Sequence, residues 1–165
     1  NPRDYLMLAH NVKNGLEEYI DNKYILDEIE DNYNKLKVLI SGFDAEFEMI
    51  PENATNNNII IASDALSFLS KYGFNVTTVD ETTGEIPSTT INKAKRLIQN
   101  KEVTYIFMLD NATETDTIKD LVASGAELIK IRSMTVKKES DVTGGITYKN
   151  MMRDTIDAIK KEVYE

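Results

Sequence analysis

The sequence predicts an α/β fold: a four-stranded parallel sheet with helices on both faces, preceded by a long helix. Three observations carry this. From residue 59 onward, short apolar or β-branched runs alternate with amphipathic stretches, the pattern of parallel strands joined by helical crossovers. Gly73 and Gly125 close two of those stretches, where a helix end favours a left-handed residue. Residues 24–50 hold an apolar stripe that alternates steps of three and four without a miss.

Taken in order, residues 5–20 predict a helix, with Tyr5, Ala9, Val12, Leu16 and Tyr19 on one stripe. Asp21-Asn22 breaks the pattern. The long helix over 24–50 follows, its stripe running Leu26, Ile29, Tyr33, Leu36, Ile40, Phe43, Phe47, Ile50. Such a stripe serves a coiled-coil seam or a helix lying along its own domain, and it reads here as the second. Pro51 is expected to end the helix, and Asn56-Asn57-Asn58 to form a loop. Ile59–Ala62 is a continuous apolar run suited to a strand buried on both faces. Asp64–Tyr72 is then a helix, Asn75–Val79 a strand, Thr90–Gln99 a helix and Val103–Leu109 a strand. Thr115–Ser124 is a helix, Leu128–Ile131 the fourth strand and Thr147–Tyr164 a closing helix, with Thr143-Gly144-Gly145 in a polar loop before it. The division is residues 1–50 as an N-terminal helix and a long helix, and 51–165 as one compact α/β unit.

The 165 residues, 41% of them hydrophobic, suffice for a domain with a real core. There is no apolar run long enough to cross a membrane. The absence of cysteine removes disulfides, thiolate metal sites and thiol nucleophiles. A net charge of −9 argues against nucleic acid and anionic lipid as partners. His10 is the single histidine, and it falls beside the apolar stripe of its helix, as an exposed surface residue would. With one histidine and no Gly-x-Ser-x-Gly elbow, no catalytic set is assembled, so the chain reads as a non-enzyme without a cofactor. Met151 and Met152 fit core packing rather than soft-metal ligation.

A parallel sheet binds ligands beyond the carboxyl ends of its strands. Ser63 follows the first strand, Asp110 the third and Arg132 the fourth, so these positions, with Asp64, define the expected cleft edge. Three stretches sharpen this: Asn1-Pro2-Arg3-Asp4-Tyr5-Leu6, then Ser63-Asp64-Ala65 leading to Tyr72-Gly73, then Tyr148-Lys149-Asn150-Met151-Met152. In this order they resemble the metal-binding solute-binding proteins of zinc and manganese ABC transporters, also described as surface adhesin lipoproteins. That family reads Asn/Asp-Pro-His-x-Trp-Leu, His- or Glu-x-Ala before an aromatic and Tyr-Gly, and Tyr-x-x-Met-Met.

The resemblance implies a C-terminal lobe and connecting helix, with an upstream lobe missing that would carry the first metal ligand and any lipoprotein signal. It implies an extracytoplasmic, membrane-anchored full-length protein delivering a solute to an ABC permease. It places the second, third and fourth metal ligands at Arg3, Ser63 and Arg132. Arginine stays protonated and offers only N–H donors, and a lone serine is a poor ligand for a divalent ion. The inherited zinc or manganese site is therefore expected to be degenerate, with no metal bound and the solute unknown. The alternative function is a non-transport adhesin or interaction module of the same descent. Arg3 and Arg132 would either grip an anion together or each pair with a local acid such as Asp4, Asp64 or Asp110, or with the missing lobe; the second is the preferred reading.

Overall fold

The computed structural model describes residues 1–82, 84–134 and 139–164. Helix α1 spans Pro2–Glu17 and begins where the Asn1 side chain accepts a hydrogen bond from the Asp4 N–H at 3.0 Å, with proline at the first helical position. Helix α2 spans Lys23–Asn53. It runs through Pro51 rather than stopping before it. The reason is local: a proline in the last turn removes one N–H, and the Asn53 side-chain amide donates to the Met49 carbonyl at 2.8 Å, satisfying an acceptor at the helix end.

The chain divides into two compact units, Asn1–Phe47 and Glu48–Glu165, so the boundary falls within α2. Along the three-four stripe, Leu26, Ile29, Tyr33 and Leu36 are half-buried, while Ile40, Phe43, Phe47 and Ile50 are buried. Tyr5, Leu8, Val12 and Leu16 of α1 remain exposed and, with Tyr33 and Leu36 of α2, line a groove of about 440 Å³ in the first unit. Tyr19, expected on the helical stripe, lies beyond the end of α1 and is exposed.

The second unit holds the sheet. Strands β1 (Asn58–Ile61), β2 (Asn75–Thr78), β3 (Tyr105–Leu109) and β4 (Glu127–Ile131) are all parallel, in the order β2-β1-β3-β4. The two central strands carry the apolar runs: Ile59, Ile60, Ile61, Ile106, Phe107 and Met108 are fully buried, as strands covered on both faces require. Because side chains alternate along a strand, Ile60, Ile106 and Met108 share one face. They join a core with residues such as Ala94, Leu97 and Ile98 of α3 (Ser88–Gln99) and Ile118 and Leu121 of α4 (Asp116–Ala123). On α6 (Tyr148–Tyr164), which contacts β4, Met151, Met152, Ile156, Ile159 and Val163 are buried, so the paired methionines are core residues.

Two local expectations change. Asp64–Tyr72 is a 3-10 helix rather than an α-helix, ended by Gly73 at φ 102°. The segment before α6, expected as a loop, contains a short helix, α5 (Glu139–Thr143).

Candidate functional site at the carboxyl edge of the sheet

With all four strands parallel, their carboxyl ends share one edge, and the strand order fixes the sequence of residues along it: Asp80 after β2, Ser63 and Asp64 after β1, Asp110 after β3, Arg132 after β4. Carboxylates tie neighbouring strand ends together. Asp80 Oδ2 accepts from the Asp64 N–H at 2.7 Å, bridging the ends of β2 and β1. Its other oxygen accepts from both the backbone N–H and the hydroxyl of Thr82, at 2.8 and 2.6 Å. Burial works against ionisation of Asp80, but the donors of Thr82 and Asp64 outweigh it and hold the carboxyl below its ordinary value. At the other side, Asp110 Oδ1 accepts from the Ser133 N–H at 3.0 Å, joining β3 to the residue after Arg132.

The three positions expected to face a ligand have other occupations. Ser63 is the N-cap of the 3-10 helix, and its hydroxyl accepts from the Ala65 N–H at 3.3 Å. Arg132 Nη1 lies 2.5 Å from Asp141 Oδ1, and its Nε lies 3.6 Å from Asp154 Oδ2. Asp141 belongs to α5 and is buried; Asp154 belongs to α6 and is exposed. Arg3 lies in the first unit, where its Nε donates to both carboxylate oxygens of Asp44 on α2, at 2.9 and 3.1 Å. Arg3 thus meets Asp44, and Arg132 meets Asp141 and Asp154. Asp4 instead caps α1 with Asn1, Asp64 presents its backbone to Asp80, and Asp110 meets Ser133.

Sequence reasoning missed these partners because they come from other elements, Asp44 from α2, Asp141 from α5 and Asp154 from α6. The one available signal was position: Asp44 sits on the long helix at a polar step of its stripe, and Asp154 on the polar face of α6. His10 is exposed, hydrogen-bonded to Asn14 at 3.1 Å and 5.8 Å from the Tyr33 ring, in keeping with a surface role. Among the described residues, no group of three or more His, Cys, Asp or Glu side chains is gathered to hold a metal ion. Of the residues that follow β1 and β4 on this edge, Ser63 caps a helix and Arg132 is held by carboxylates. No helix among the described residues is long and apolar enough to cross a membrane.

Residues 1–162 match the family model described as zinc-uptake complex component A, periplasmic. The fold matches solved structures of low sequence identity. The metal-dependent lipoprotein YcdH of Bacillus subtilis is 16% identical with a TM-score of 0.71, over 94% of this chain and 59% of that one. The Zn(II)-bound ZnuA-like domain of Streptococcus pneumoniae AdcA is 16% identical with a TM-score of 0.71, over 99% of this chain and 62% of that one. The periplasmic zinc-binding protein TroA of Treponema pallidum is 18% identical with a TM-score of 0.67, over 93% of this chain and 58% of that one. The chain thus spans about three-fifths of the length of these three structures. No curated protein matches it in sequence.

Proposed function

The chain belongs to the family of periplasmic component A proteins of zinc-uptake complexes, and from that premise we propose that it is the C-terminal lobe and connecting helix of an extracytoplasmic solute-binding protein whose zinc or manganese site has been lost. Residues 1–50 supply the N-terminal and connecting helices and 51–165 the lobe. The rest of the cleft belongs to an upstream lobe, and the receiving partner is an ABC permease. A lipid anchor on the full-length protein would keep it at the membrane. The chain works by binding rather than by catalysis, and nucleic acid is not a partner.

The single observation that carries the reading is the state of Arg132. The resemblance puts it at a metal-ligand position, and its guanidinium is engaged by Asp141 and Asp154. A divalent ion there would have to displace a protonated side chain from two carboxylates. Ser63, spent on capping the 3-10 helix, supports the same conclusion.

Calorimetric titration of the metal-free chain with zinc(II) and with manganese(II) tests it. The expected result is no stoichiometric binding at micromolar metal. Tight binding that survives His10→Ala and disappears on Ser63→Ala would overturn the reading. A second reading, a surface interaction module of the same descent, is favoured by the commitment of both Arg3 and Arg132 to internal pairs. It predicts the same titration, and it separates from transport by whether the full-length protein binds its permease.

A further inference from the structure

Asp141 is a buried carboxylate on α5, a helix of only five residues. So short a helix has no stability of its own and must be held by tertiary ties. A buried carboxylate, in turn, is tolerated only when a cation or several hydrogen-bond donors balance it. Arg132 meets that need from the end of β4, at 2.5 Å through Nη1. A guanidinium offers separate donor edges, so the same group also reaches toward Asp154 on α6, 3.6 Å from Nε. One side chain therefore links a strand end to two helices. Its charge is already balanced by two carboxylates, which argues against an anion as its ligand.

We propose that Arg132 is a built-in cation: its guanidinium replaces a diffusible cation at the carboxyl edge of the sheet and fastens α5 and the start of α6 to the end of β4. The inference rests on the reading of this edge as an altered metal site, and it names the group that stands in for the metal. Positive charge between these elements is then supplied covalently, and the α5–α6 segment keeps its order at any metal concentration.

Amide hydrogen exchange over residues 139–154 tests this, on the native chain and on Arg132→Ala, each with and without zinc(II) or manganese(II) chloride. In the native chain the exchange rates are expected to be indifferent to metal. In the alanine variant they are expected to rise at least tenfold, and metal at millimolar concentration is expected to restore most of the lost protection. Unchanged exchange in the variant, or lost protection that metal does not restore, overturns the proposal. Should Arg132→Ala fail to fold, the double variant Arg132→Ala with Asp141→Asn carries the test. Removing both charges should recover folding and leave exchange blind to metal; a double variant that stays unfolded, or that responds to metal, overturns the proposal. Metal binding by the native chain would sink the preceding reading. A native chain and an alanine variant both indifferent to metal would sink only this one.

Discussion

Replacing Glu162 tests how α6 is clasped to the sheet. Its carboxylate accepts from the Thr104 N–H at 3.0 and 3.2 Å and from the Tyr105 N–H at 2.6 Å, at the point where β3 begins. The preceding residue reinforces the grip: Lys161 Nζ lies 4.4 Å from the centre of the Tyr105 ring. A net hydrogen bond to a charged group is worth roughly 1.5–3 kcal/mol. Thr104 is exposed, so water replaces the acceptor for its N–H after Glu162→Ala, whereas Tyr105 is half-buried and its donor is left wanting. The loss of one such bond, with some relief from no longer burying a carboxylate, gives a destabilisation of about 2 kcal/mol. For a chain of this size that is a fall in Tm of roughly 4–8 °C, with an unchanged urea m-value.

The same residue gives a pH signature. Burial raises the Glu162 pKa above its ordinary 4.5 against the pull of the two N–H donors. The folded form then holds a proton that the unfolded form has released. Its contribution is greatest below 4.5 and is lost as pH rises through the raised value. The stability of Glu162→Gln relative to native should therefore climb across that window and level off above it. A loss below about 0.5 kcal/mol in the alanine variant, within the range of an ordinary surface change, would refute the clasp; a relative stability that falls with pH in the glutamine variant would show that the N–H donors outweigh burial and would refute the pH signature.

Three further predictions follow from single positions. The Thr77 hydroxyl is buried without a hydrogen-bond partner, so Thr77→Val should raise stability by about 1 kcal/mol; an unchanged urea midpoint counts against it. Gly73 sits at φ 102° with ample room, the nearest atom to an added Cβ being Pro51 Cγ at 3.6 Å. Gly73→Ala should cost about 1–2 kcal/mol from backbone strain alone, while Gly42→Ala, inside α2 with nothing within 4 Å, should gain about 0.5–1 kcal/mol; equal effects in thermal melts would refute the contrast. The depressed pKa of Asp80 means that native chain outlasts Asp80→Asn above the ordinary value of 3.8 and that the advantage fades as pH falls below it; a difference constant through acid titration would exclude that.

Much of the architecture was legible because burial on both faces leaves a plain mark. The run Ile59-Ile60-Ile61 has nowhere to go but the middle of a sheet, and β1 is central. Gly73 and Gly125, at φ 102° and 113°, are ends that other residues would strain to make. What escaped is what short range hides. Nine residues with apolar positions at three-four spacing do not separate a 3-10 helix from an α-helix, and five residues, as in α5, present no period at all. The cleft residues were placed along an edge by topology alone, but their partners depend on side chains converging from 41 positions away for Arg3 and Asp44 and 9 for Arg132 and Asp141. Pattern in one dimension carries no information about such meetings.

The strand order also dictates how the second unit has to assemble. Asn58 registers with Asn75 and Tyr105 with Glu127, so each outer strand joins its inner neighbour after closing a short stretch of chain. The central pairing of Ile60 with Ile106 closes a stretch more than twice as long, and each doubling costs roughly 0.6 kcal/mol of extra loop entropy. The two outer pairs are therefore the early, local events, and the β1–β3 seam is the late one. That seam is also the most completely buried part of the sheet, so substitutions in it should act mainly on the rate of unfolding. Substitutions at the centre are expected to shorten the lifetime of the folded lobe and those at its flanks to slow its formation, and a φ-value series across both tests this.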